Sequence, residues 1–267
     1  MKKKALKTVA LIVAIVLVAG ICVVANALVG NPVSKILAQK AAASYLAENH
    51  PDTDYYIESV GYDFKFTEYH AHVCSESSMD TRFTLDIDMF GHVIYDTYEN
   101  VANGFVTANR VEQEYRELAD QVFESPAFPY PDNILYGTLE IYPREAEDAP
   151  DYAIVQEDLI LDHIYDPRDL GAQAGHLVVY VDSETITYDL AAEILLEIRG
   201  QFDDADIPFY AIDFVLEAPL PEEGPRPEDD IRIENFRYDE ITENELAERI
   251  ADAHEACMAY YASMDDK

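Results

Sequence analysis

The chain has 267 residues, with 53 Asp and Glu against 18 Lys and Arg, a formal charge of −35 and 49% hydrophobic residues. That apolar fraction, with 19 tyrosines and 11 phenylalanines, excludes a disordered acidic tail because it supplies enough surface to bury. The negative charge excludes nucleic-acid binding, which needs Lys and Arg to displace the counterions of a polyanion.

Residues 1–30 stand apart: Lys2, Lys3, Lys4 and Lys7 precede an uncharged apolar run over residues 8–30. A bilayer is crossed by roughly 20 such residues, and flanking lysines stay on the cytoplasmic side. The run therefore predicts a single-pass N-terminal transmembrane helix with the lipid bilayer as its partner. Its N-terminus is then cytoplasmic and everything after residue 30 is extracytoplasmic. The alternative is a signal peptide cleaved after Ala25-Asn26-Ala27, which would secrete the same remainder; the run is longer than the roughly 7–15 residues of a signal core. A lipoprotein site is ruled out by Ile21 ahead of Cys22. Without the four N-terminal lysines the remainder holds 53 acids against 14 bases, or −39. Such a surface attracts cations, although acids spread along the chain are the pattern of a solvated exterior.

Residues 31–103 read as a first domain. Ser34 opens a helix over residues 35–49, with Leu37, Ala41, Ala42, Tyr45 and Leu46 at helical spacing, and His50-Pro51-Asp52 ends it. Strands follow over residues 56–64, 69–74, 81–89 and 93–98. A loop at residues 65–68 sets Phe64 opposite Tyr69, Tyr62 opposite Ala71 and Val60 opposite Val73. A second loop at residues 75–80 sets Val73 opposite Phe83, Ala71 opposite Leu85 and Tyr69 opposite Ile87. Both hairpins place their apolar residues on one face, as a half-buried antiparallel sheet requires.

The helix followed by a meander, with Asp88, Gly91 and Val93 in an Asp-x-x-Gly-x-Val hairpin, resembles the PepSY and cystatin-like class of small exported domains. That likeness implies a part in modulating exported peptidases or holding a protein or peptide partner outside the cell. Residues 30–73 behind a lysine-led apolar helix resemble the YfjL-like membrane proteins of Gram-positive bacteria. This second likeness implies a topology and a domain plan and supplies no catalytic residue.

Residues 104–133 read as a connector, a helix over residues 107–123 and then a linker with Pro126, Pro129 and Pro131. Residues 134–267 form a second domain. Its expected elements are a strand over 135–141, a helix over 152–164, a strand over 177–181, a helix over 188–202 and strands over 209–216 and 231–238. A final helix opens with a Thr242 and Glu245 capping box and buries Leu246, Ile250, Ala253, Cys257 and Tyr260 or Tyr261. The expected fold class is α+β: the transmembrane helix, a helix with an antiparallel meander, and a β-α-β-α-β-β-α sandwich.

One cluster carries candidate chemistry. Alternation in a strand puts His70, His72 and Cys74 on one face, and the register adds Asp63 and Asp86 beside His70. Zinc takes such ligands; a polar outer sheet face holds them equally well. Asp158, Asp162 and Asp166 near His163 suit calcium by their oxygens, but Asp-x-Asp-x-Asp-Gly spacing is absent, as it is around Asp86, Asp88 and Gly91. No cofactor is expected beyond these zinc and calcium candidates. The sequence has no G-x-S-x-G, H-E-x-x-H, P-loop or C-x-x-C signature, and His254-Glu255 lacks a second histidine. Cys74 faces away from its core and Cys257 lies in an apolar stripe of another domain, so no disulfide is expected. These features together predict a membrane-anchored, extracytoplasmic accessory or binding protein without catalytic activity. The alternative is an exported hydrolase using carboxylates or a metal on the His70/His72 face.

Overall fold

The computed structural model describes residues 2–130, 134–221, 224 and 229–265. The Cys22 and Ala27 side chains, Pro131, Pro225 and Pro227 lie outside the described residues. The chain divides into two compact units between Val106 and Thr107.

The first unit opens with α1 (Lys2–Val29), a helix whose residues 11–18 expose their apolar side chains. Among the described residues no helix is long and apolar enough to cross a membrane, which corrects the expected transmembrane helix.

Helix α2 (Pro32–Asn49) starts earlier than the sequence suggests, because Asn31 rather than Ser34 caps it. Asn31 Oδ1 accepts the Ser34 N–H at 2.8 Å, and Pro32 occupies the first turn, where no N–H is needed. Its buried stripe is Ser34, Ala38, Ala42 and Leu46, a run of four-residue steps. That stripe covers an antiparallel meander of β1 (Tyr55–Asp63), β2 (Glu68–Ser75), β3 (Arg82–Ile87) and β4 (Val93–Asp96), in the order β1-β2-β3-β4. The β2–β3 register is the expected one, Val73 facing Phe83, Ala71 facing Leu85 and Tyr69 facing Ile87.

The β1–β2 register is slipped by two residues from expectation, with Tyr62 facing Tyr69 and Val60 facing Ala71. Asp63 causes the slip: its carboxylate accepts the Lys65 N–H at 2.7 Å, closing the turn one residue early, and Thr67 takes φ +62°. A slip of two preserves side-chain parity, so Val60, Ala71 and Val73 remain in the core. The short helix α3 (Glu99–Ala102) closes the unit, adding Val101.

The second unit is built on α4 (Phe105–Phe123), whose buried Val111, Tyr115, Ala119 and Val122 form one face. Its sheet runs β10-β9-β8-β5, from β5 (Leu135–Leu139), β8 (Gly175–Asp182), β9 (Ala211–Glu217) and β10 (Asp230–Arg237). Only β8 and β9 are parallel in it, and α6 (Tyr188–Asp204) provides the crossover that parallel neighbours require. Leu177, Val179, Ile212, Phe214, Leu195 and Phe202 fill the core between sheet and helices.

Two expected elements are corrected here. Residues 152–164 are not a helix. β7 (Ile154–Val155) pairs there in parallel with β6 (Ile141–Tyr142), and a single 3-10 turn follows at Gln156–Asp158. Ile154 and Leu159 are buried while Ile160, Leu161 and Ile164 are exposed, so the segment has no helical face. The helix comes later, as α5 (Pro167–Ala174), where Asp166 caps it and Pro167 opens it. Helix α7 (Leu246–Asp265) also begins after the proposed capping box, because Glu245 takes φ +52° and falls outside it. Thr242 instead accepts the Arg249 guanidinium, on Oγ1 and on its carbonyl, at 2.9 Å each.

Candidate functional site

The meander brings part of the His70 cluster together. His70 Nδ1 lies 2.6 Å from Asp86 Oδ1 and its Nε2 lies 3.7 Å from Asp63 Oδ2, so both ring nitrogens face carboxylates. His72 turns to Thr84 instead, Nδ1 to Oγ1 at 3.3 Å. Cys74, expected on the open face, is buried, and burial first, then Glu58, raises its thiol pKa. The acids near His163 do not share a helix: Asp158 pairs with Arg144, Asp166 caps α5, and Asp162 sits at φ +60°. Among the described residues no three of His, Cys, Asp and Glu are placed to hold a metal ion.

A tighter polar cluster forms in the second unit, at residues that no spacing along the chain marks out. His176, 3% exposed, holds Glu140 Oε1 at 3.3 Å from Nδ1 and Asp213 Oδ1 at 3.0 Å from Nε2. Burial opposes charge on this ring, but the hydrogen bond to Asp213 and the charges of Asp213 and Glu140 outweigh it, so its pKa is raised. A bulge in β10 completes the arrangement. Asn235, at φ +52°, donates its N–H to Asp213 Oδ1 at 2.7 Å and accepts the Tyr152 hydroxyl at 2.9 Å. Tyr152 stacks on Tyr210 with ring centroids 4.2 Å apart, and the Arg237 guanidinium sits over Tyr210 at 5.2 Å.

One signal for this cluster is present in the sequence. In β10 the apolar alternation Ile231, Ile233 skips to Phe236, which a bulge explains, and Asn is a residue that tolerates left-handed backbone. Chemically the cluster is closed. Both imidazole nitrogens face carboxylates, and the raised pKa extends the pH range over which the ring carries its charge.

Open surfaces lie elsewhere in this unit, on both sides of α7. One cleft of about 510 Å³ is lined by Glu234, Glu240, Asp252, Arg249, Cys257 and Tyr260, among others. Another, of about 600 Å³, includes Asp189, Asp230, Glu248 and His254. The Arg249 guanidinium donates to the carbonyls of Glu240, Thr242 and Asn244, neutral acceptors that leave its positive charge in the cleft. Burial first and then Glu234 raise the Cys257 pKa, so the residue stays a thiol and is a poor nucleophile at neutral pH. His254 serves structure: the Arg232 N–H on the edge strand β10 lies 3.0 Å from its Nδ1, which blunts that edge.

Fold and clefts define a two-domain α+β protein with open, acid-lined clefts along α7, and among the described residues the buried Arg249 Nε has no hydrogen-bond partner. The chain matches the YfjL-like, N-terminal domain over residues 3–97, inside the first unit, and the YfjL-like C-terminal domain over residues 114–251, inside the second. It belongs to the YfjL-like family. No curated protein and no solved structure matches it.

Proposed function

We propose that the protein is a non-catalytic binding module that receives a cationic segment of a protein or peptide partner along α7. The observation that carries this reading is the pair of acid-lined clefts flanking that helix. The helix-and-meander plan of the first unit, on which the likeness to PepSY-type domains rests, supports an accessory role.

Calorimetric titration with a short oligolysine peptide tests the reading. Exposed charge pairs contribute about 0.2–1 kcal/mol each, so Glu234→Gln with Asp252→Asn should weaken binding about two- to thirtyfold. Asp52→Asn with Glu76→Gln, exposed acids of the first unit, should leave it unchanged. Equal losses in both pairs would reduce the effect to net charge and contradict the proposal.

We also propose that the protein works outside the cytoplasm, which the lysine-then-apolar order of residues 2–30 supports. Alkaline phosphatase fused after Lys267 should then be active in intact cells; an inactive fusion contradicts export.

A further inference from the structure

We propose that one end of the first unit seats on a lipid surface through Phe64, Phe66 and Phe90. In a meander the β1–β2 and β3–β4 turns share an end, and the β2–β3 turn lies at the other. The first turn carries Phe64 and Phe66, 65% and 59% exposed, and the second carries Phe90, 70% exposed. Neither turn is loose. Asp63 accepts the Lys65 N–H, and Asp88 Oδ1 accepts the Phe90 and His92 N–H groups at 2.8 and 2.9 Å, so the rings are displayed on braced turns.

The junction of α1 and α2 meets the sheet at this same end. The Asn31 N–H donates to the Tyr69 hydroxyl at 2.9 Å, and Tyr69 in turn donates to the Asn31 carbonyl at 3.1 Å. Leu37 of α2 lies against Gly91 in the second turn. Val29 and Val33, 76% and 67% exposed, flank the Asn31 junction at this end.

Charge points to the same occupant. Between residues 31 and 106 the bases are Lys35, Lys40, Lys65 and Arg82, and only Arg82 belongs to the far end, so three lysines offset Asp63, Glu68 and Asp88 at the rim and leave it near neutral in an otherwise acidic unit. Lys35 follows the Asn31 cap, Lys65 stands between the two phenylalanines, and Lys40 lines a shallow groove with Phe90. Phenylalanines that enter the headgroup boundary among lysines that meet lipid phosphates are the elements of interfacial attachment. The seating needs only this rim and the headgroup layer.

The chain has no tryptophan, so Phe66→Trp in the full chain places one emitter at the rim and Met79→Trp places one at the opposite turn. Both are read against vesicles of phosphatidylcholine mixed with phosphatidylglycerol, with and without brominated acyl chains. A side chain buried roughly 5–10 Å into the headgroup boundary should shift its emission to the blue and be quenched about twofold by bromine. The Phe66→Trp chain should show both effects and the Met79→Trp chain neither. In the Phe66→Trp background, adding Phe64→Ser and Phe90→Ser should remove most of the quenching. Unchanged emission from the Phe66→Trp chain, equal quenching of the two chains, or quenching that survives the serines would overturn the proposal. So would a blue shift that needs protein concentration rather than lipid, which identifies a second copy of the chain.

Discussion

Replacing His176 with leucine should destabilise the protein by about 3 kcal/mol near pH 6, because removing one member of a buried ion pair strands the charge left behind. Glu140 and Asp213, 16% and 32% exposed, are partly reached by water, which holds the cost at the lower end for such pairs. The effect has a definite pH window. The folded pKa of His176 is raised, so its contribution is complete below the unfolded value of about 6.5 and fades as pH climbs through the folded pKa. Urea unfolding of wild type and His176→Leu should therefore differ most near pH 6 and converge toward alkaline pH. A gap that holds constant across that range would show that packing, not charge, is what His176 supplies.

Tyr115→Ala should cost about 4 kcal/mol, the range for deleting a fully buried aromatic side chain. Its ring is fully buried and its hydroxyl donates to the Pro208 carbonyl at 3.0 Å. Burial raises its pKa, so the donor stays protonated at every physiological pH. The backbone closes on the ring so tightly that only glycine fits beside it. A Cβ on Gly171 would lie 2.4 Å from the Tyr115 ring and 2.6 Å from the Pro208 oxygen. Tyr115→Phe keeps the packing and loses one hydrogen bond, so it should cost only about 1 kcal/mol. Similar losses from both substitutions would mean that the hydroxyl, rather than the ring, anchors α4.

Much of this fold is legible in the residues. The β2–β3 pairing follows from matching apolar faces, and the Tyr188–Asp204 helix follows from its periodicity. What misleads is local side-chain chemistry at the ends of elements. Asn31 takes the cap that Ser34 suggests, and Asp63 tightens a turn and moves the register by two. Residues 152–164 have acids at helical spacing and apolar residues that the tertiary fold does not bury on one face. The anchor expected in residues 8–30 rests on composition alone, and among the described residues no helix is long and apolar enough to cross a membrane.

The site is less legible than the fold. His70 and Asp86 meet because strand alternation and register are local rules. His176, Glu140 and Asp213 lie far apart in sequence, and Asn235 reaches Asp213 only through a bulge. Apart from the skipped alternation in β10, spacing along the chain carries no information about that convergence. The clefts along α7 are equally hidden, since Glu234 and Asp252 come from different elements and look like any other solvated acids.

Binding of a cationic segment along α7 is tested most directly by amide hydrogen exchange on the full chain with and without oligolysine. Added protection should concentrate in β10 and α7, around Glu234, Glu248 and Asp252, and disappear near 1 M salt, where screening acts within about 3 Å. Protection spread evenly over the acidic surface of both units, or confined to the first unit, would contradict binding at α7.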